Sequence, residues 1–133
     1  MCSRTARGPK PGTRPHGLAS LANLGYRHVD DLKAQTWLGP TLRAMHDAEP
    51  LPISVGLYPL VGDLPDVARD HRDWSCDAVR LAGGKIFVDG TLNSRTAWML
   101  EPFADGHPDR PRGMALMLPD AIAAAVRACD ALG

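Results

Sequence analysis

From Gly17 onward, strand-like and helix-like segments take turns along the chain, and that alternation restricts the fold more than any other feature. "GLASLANLG" sets Leu18, Leu21 and Leu24 at helical spacing and ends on Gly25, a residue suited to the position just past a helix. "YRHVDD" reads as a short strand. Gly39-Pro40 opens "PTLRAMHDAE", with Pro40 predicted at the first helical position and Leu42 and Met45 on one buried stripe. "PISVGLYPL" is a second strand, stopped by Pro59, and "LPDVARDHRDW" a short polar helix. "AVRLAGGKIFVDG" is a third strand, broken or bulged at Gly83-Gly84. A long loop holding Gly106, Pro108, Pro111 and Gly113 follows, and then the clearest helix, "LPDAIAAAVRACDALG". Such alternation builds βαβ units around a parallel sheet. The predicted class is therefore α/β, as a doubly wound sheet or as part of a (βα)8 barrel.

The 133 residues suffice for one ordinary domain. Hydrophobic residues at 44% and charged residues at 23% fit a soluble globular chain. Fifteen basic and fifteen acidic residues cancel, which argues against a dedicated nucleic-acid or membrane-surface binder. No apolar run approaches the ~20 residues of a membrane span, and no apolar stretch follows the N-terminal basic residues as in a secretory signal. A cytoplasmic location is the expectation. Residues 1–16 carry Arg4, Arg7, Lys10 and Arg14 among Gly and Pro, and read as a flexible basic tail ahead of one domain over residues 17–133.

Motif chemistry excludes more than it supports. No G-x-G-x-x-G or G-x-x-x-x-G-K-[ST] follows a strand, and Gly83-Gly84-Lys85 enters a strand rather than a helix, so it is no phosphate cradle. Cys2, Cys76 and Cys129 are widely spaced and read as small core or surface residues in a reducing compartment. His16, His28, His46, His71 and His107 are dispersed, with no H-x-H or H-E-x-x-H pair, so spacing assembles no zinc site. A Ser-His-Asp arrangement lacks its G-x-S-x-G elbow. In Lys85-Ile86-Phe87-Val88-Asp89, strand alternation places Lys85, Phe87 and Asp89 on one face. Two readings follow: Lys85 at a strand edge with its head in water, or a mixed face looking into a lumen.

"GGKIFVDGTLNSRTAWMLEPFADG" resembles the strand-and-loop segment of amidohydrolase family 3, the branch that includes N-substituted formamide deformylases. "LASLANLGYRHVDDL" and "LPISVGLYPL" resemble the passages before it, and "RGMALMLPDAIAAAVRACDALG" the passage after, so the likeness runs in order over residues 17–133. The resemblance implies a (βα)8 barrel of which this chain holds about three consecutive βα units with parallel strands. It implies metal-dependent hydrolysis of a C–N bond in a small-molecule amide, with a divalent metal, zinc by expectation, in the full-length family. It makes Lys85 a carboxylated metal ligand, which would turn a costly buried ammonium into an anionic oxygen donor. It places Asp89, Ser94 and Arg95 at the pocket as substrate-binding residues, and assigns no catalytic residue. Asp30 stands where the family commonly has His, and Asn93 replaces a Gly of the loop. The other ligand motifs of the family are not in this sequence, so the expectation is a fragment inactive alone, or a βα module completed by a partner chain that supplies the missing barrel half.

Overall fold

A computed structural model describes residues 16–131. The basic tail expected over residues 1–16 lies, apart from His16, outside them. The elements run α1 (His16–Asn23), β1 (His28–Asp31), α2 (Leu38–Ala48), β2 (Ser54–Leu57), α3 (Leu64–Trp74), β3 (Val79–Leu81) and α4 (Pro119–Asp130). The three strands form one parallel sheet in the order β1-β2-β3. The expected α/β class, with three parallel strands alternating with helices, is therefore present.

Local chemistry accounts for most boundaries. Past α1, Tyr26 N–H bonds the Leu21 carbonyl and Gly25 N–H the Ala22 carbonyl, with Gly25 at φ 95°. This double closure needs a left-handed residue, which the sequence supplies as glycine. α2 starts at Leu38, two residues before the expected start, so Pro40 sits in the first turn rather than at its head. The shift costs no hydrogen bond, because first-turn N–H groups have no intrahelical partner. α3 has proline at its start, Asp66 in the first turn and His71 and Arg72 in the last, a charge order that suits the helix dipole.

The described chain falls into two compact units, one ending at Lys85 and the other starting at Ile86. In the first, register aligns Val29, Val55 and Val79 across the sheet, and likewise Asp31, Leu57 and Leu81. Val55, Leu57 and Val79 are buried with Leu42, Val67 and Trp74, so this face packs under α2 and α3. Gly39 lies where a Cβ would come within 2.7 Å of the Trp74 ring. The opposite face carries His28, Asp30, Ser54, Gly56 and Arg80, and is far more open.

The third strand is shorter than expected. After Leu81 only Ala82 N–H reaches back to β2, at the Leu57 carbonyl, and regular pairing lapses over residues 82–84. Lys85 then forms an isolated parallel bridge with Leu60. The double glycine therefore breaks the ladder, as expected, but no regular strand follows it. Alternation of Lys85, Phe87 and Asp89 along a strand face does not apply, because residues 86–88 have no ladder to impose it.

In the second unit a long loop is bound by isolated contacts. Asp89 bridges Ala115 antiparallel, and Met99 N–H bonds the Arg112 carbonyl at 2.9 Å. Gly113 has φ 74°, and a Cβ there would run into the Ala97 carbonyl.

Candidate functional site

Lys85 stands at the C-terminal end of the parallel strands, the end at which such sheets gather their sites. Its N–H bonds the Pro59 carbonyl at 2.7 Å, and its carbonyl accepts from Val61 N–H at 3.0 Å. The backbone is thus fixed on both sides, and the residue is half-buried.

Asp89, Ser94 and Arg95 belong to the second unit, and its loop already employs each of them. Asp89 Oδ2 accepts from Trp98 N–H at 2.9 Å. Ser94 Oγ shares hydrogen bonds with Thr91 Oγ1 at 2.8 Å and Thr96 Oγ1 at 2.6 Å, and Thr96 Oγ1 also accepts from Thr91 N–H. Arg95 grips Asp105 with two parallel bonds of 2.7 Å and reaches the Leu92 and Asn93 carbonyls with a third nitrogen. This clamp holds the Asp105 carboxyl below the ordinary carboxylate value and raises the Arg95 guanidinium in turn. Arg95 also takes φ 56°, the only left-handed non-glycine among the described residues. A backbone conformation that costs on the order of 1 kcal/mol is held by side-chain bonds on both sides of the turn.

On the open face of the sheet, strand register brings together residues that spacing alone leaves apart. His28 lies opposite Ser54, and its Nδ1 is 2.8 Å from Ser54 Oγ. Its Nε2 is 2.9 Å from Asp30 Oδ1. A carboxylate has no proton to give, so Nε2 carries a ring proton, and in the neutral ring Nδ1 accepts from the serine hydroxyl. Gly56 sits beside them, and a Cβ there would collide with the Asp30 carboxylate. Asp30 therefore leans over Gly56 with His28 as its brace. A Ser-His-Asp row exists after all. It lacks the exposed elbow of a nucleophile, because Ser54 opens β2 at the end of the strands opposite Lys85.

A second grouping was also missed. His46, Cys76 and Asp77 each place a ligand atom within 4.8 Å of the other two. The three precede β2 and β3, and the starts of adjacent parallel strands lie side by side. Topology rather than spacing carries that signal.

A profile of the amidohydrolase family matches residues 15–133. The chain belongs to the amidohydrolase family. Among solved structures it is similar to an uncharacterized metal-dependent hydrolase from Pyrococcus furiosus, at 24% identity and a TM-score of 0.73, over 89% of this chain and 25% of that one. It is also similar to an uncharacterized metal-dependent hydrolase from Pyrococcus horikoshii OT3, at 20% identity and a TM-score of 0.70, over 87% of this chain and 24% of that one. The family member described here thus spans about a quarter of each of those proteins. No curated protein matches it. No helix among the described residues is long and apolar enough to cross a membrane.

The described residues do not complete the divalent centre that the resemblance implies. Among the described residues, the single group of three His, Cys, Asp or Glu side chains able to share an ion is His46, Cys76 and Asp77. That group lies at the strand end opposite Lys85. No hydrolytic step can be drawn through a metal at Lys85 from these residues.

Proposed function

We propose that this chain is the section of a metal-dependent amidohydrolase that contributes Lys85 to the centre, and that the 133 residues alone do not turn over substrate. The observation that carries the reading is Lys85 pinned to Leu60 at the C-terminal end of a parallel sheet, in a chain of this family. Carboxylation would make Lys85 the one metal ligand from this chain; a divalent metal, zinc by preference, would supply Lewis acidity and an activated water once the other ligands are present. The substrate class is a small-molecule amide or formamide, cleaved at a non-peptide C–N bond in the cytoplasm. Residues 17–133 belong to one barrel domain, and the loop with Asp89, Ser94 and Arg95 lines its pocket. Their separate bonds to other residues of the loop make these three shapers of that wall as much as contacts to substrate.

A second reading is favoured by the sheet edges. Among the described residues, β1 and β3 each have one edge unpaired by any named strand, an arrangement that invites further strands. In that reading the chain is a βα module without catalysis of its own, joined by a partner chain that supplies the rest of the barrel.

The test is an assay with N-formyl and N-acyl amines. The chain alone should show no turnover. With the remaining barrel strands supplied, turnover should appear and Lys85→Ala should abolish it. Turnover by the chain alone would sink the first reading, and a complemented barrel indifferent to Lys85→Ala would sink the role of that residue.

A further inference from the structure

We infer that His46, Cys76 and Asp77 form a binding site for a borderline-soft divalent cation such as zinc, separate from any centre at Lys85. The three come from two places. His46 is in the last turn of α2, while Cys76 and Asp77 occupy the turn between α3 and β3. Both places precede strands, whereas Lys85 follows one, so the two positions lie at opposite ends of the sheet.

The donor set is a thiol, an imidazole and a carboxylate, which suits zinc with a fourth position left for water. With zinc–sulfur bonds of about 2.3 Å and zinc–nitrogen or zinc–oxygen bonds of about 2.0 Å, a tetrahedral site needs ligand atoms roughly 3.3–3.5 Å apart. His46 Nε2 and Asp77 Oδ1 are already 3.7 Å apart, and all three atoms lie within 4.8 Å. Closure therefore requires movements on the order of 1 Å. Two of the three donors are held in position before an ion binds. Leu51 N–H bonds His46 Nδ1 at 3.2 Å and turns Nε2 toward the turn. Cys76 N–H bonds the Val79 carbonyl at 2.8 Å, and the half-buried Cys76 packs against the core. The Asp77 side chain is 91% exposed, free to swing the last ångström.

Two features oppose binding. The Leu51 bond places the ring proton on Nε2, so a cation must displace that proton and the ring must give up one neutral hydrogen bond. Arg43 brings a positive charge near the turn, with NH1 3.4 Å from the Ser75 carbonyl. Its Nε, however, is paired with Asp47 at 2.8 Å, so those two charges cancel. Cys76 releases its thiol proton to solvent as the cation binds, and the resulting thiolate and Asp77 then bring two negative charges to one divalent cation. A bound ion would tie the end of α2 to the start of β3 and stabilise the fold by mass action.

The test uses the 133-residue chain with Cys2 and Cys129 replaced by serine. Titration with Co2+ should give a thiolate-to-cobalt charge-transfer absorption that saturates at one equivalent and disappears on adding Zn2+. Cys76→Ser should abolish it, and His46→Gln and Asp77→Asn should each weaken Co2+ binding about tenfold or more. Lys85→Ala should leave it unchanged. Asp77→Asn alters an exposed side chain and keeps the test valid if the others fold poorly. Absence of the absorption in the parent chain, its survival in Cys76→Ser, or undiminished affinity in Asp77→Asn would each overturn the site.

Discussion

The two units reach order by different physics. The first buries Leu42, Val55, Leu57, Val67, Trp74 and Val79 between a parallel sheet and its helices. In the second, Ala97 and Ala125 are the buried hydrophobic residues among those described, while Leu92, Trp98, Leu100, Leu116 and Leu118 are exposed. What shapes the second unit is polar: the Arg95–Asp105 clamp, the Thr91–Ser94–Thr96 hydroxyls, and main-chain bonds across the loop. Burial of apolar surface stabilises regardless of direction, whereas a hydrogen bond exchanged with water contributes only about 1 kcal/mol and demands geometry. The first unit owes its stability to buried volume and the second its shape to a few named bonds.

Tryptophan tests that contrast most severely, because Trp74 in the first unit and Trp98 in the second sit in opposite settings. Trp74 is 5% exposed and Trp98 64%. Trp74→Ala should cost about 3–5 kcal/mol in urea unfolding followed at the β2 amides. Trp98→Ala should stay within about 0.5 kcal/mol. Equal losses would erase the distinction between the units.

Backbone geometry offers the next largest effect, this time in the second unit. Gly113 combines φ 74° with a Cβ position occupied by the Ala97 carbonyl. Gly113→Ala should cost about 1–3 kcal/mol, seen as faster amide exchange at Met99 and Met114. Unchanged exchange would mean that this loop is not held by its main-chain bonds.

How far the sequence reveals these two regimes differs as well. The helices and strands of the first unit follow from apolar spacing and from Gly25, Pro59 and Gly83-Gly84, because periodicity and punctuation are local signals. α2 starting at Leu38 escaped, since Trp37 makes no side-chain cap to mark it. The His28–Ser54 pair and the His46, Cys76 and Asp77 group were illegible for a deeper reason: each depends on which strand lies beside which, and at what register. Lys85 was flagged by its motif, yet the alternation used to place it failed, because pairing lapses after Gly83-Gly84. In the second unit no period exists to read, and Arg95 gripping Asp105 across ten residues follows no spacing rule.

A smaller effect probes the open face of the first unit, where its chemistry most resembles that of the second. Ser54→Ala removes the hydroxyl that His28 Nδ1 meets at 2.8 Å, and should cost about 0.5–1.5 kcal/mol. Because Asp30 holds the ring proton on Nε2, the tautomer should survive the change, and Asp30→Asn should perturb it instead. Nitrogen NMR of His28 distinguishes the two. A tautomer that switches in Ser54→Ala would show that serine, not Asp30, sets the ring.

The smallest expected effect concerns pH and the clamp of the second unit. Arg95 lowers the Asp105 carboxyl below its ordinary value of 3.8, first through their hydrogen bonds and then through charge. A carboxyl depressed on folding contributes its stability in full above the ordinary value and loses it as pH falls from there through the lower folded value. Arg95 stays charged throughout this range and adds no pH dependence of its own. Exchange at the Arg95 and Thr96 amides should therefore be flat from neutrality down to about pH 5 and rise below pH 4, once the intrinsic pH dependence of exchange is removed. The pair is solvent-exposed, so salt should shrink the effect and Asp105→Asn should remove it. An Asp105 titration midpoint at or above 3.8 would show that the guanidinium is not holding the carboxylate in solution, and the second unit would lose the main polar bond that stands in for a core.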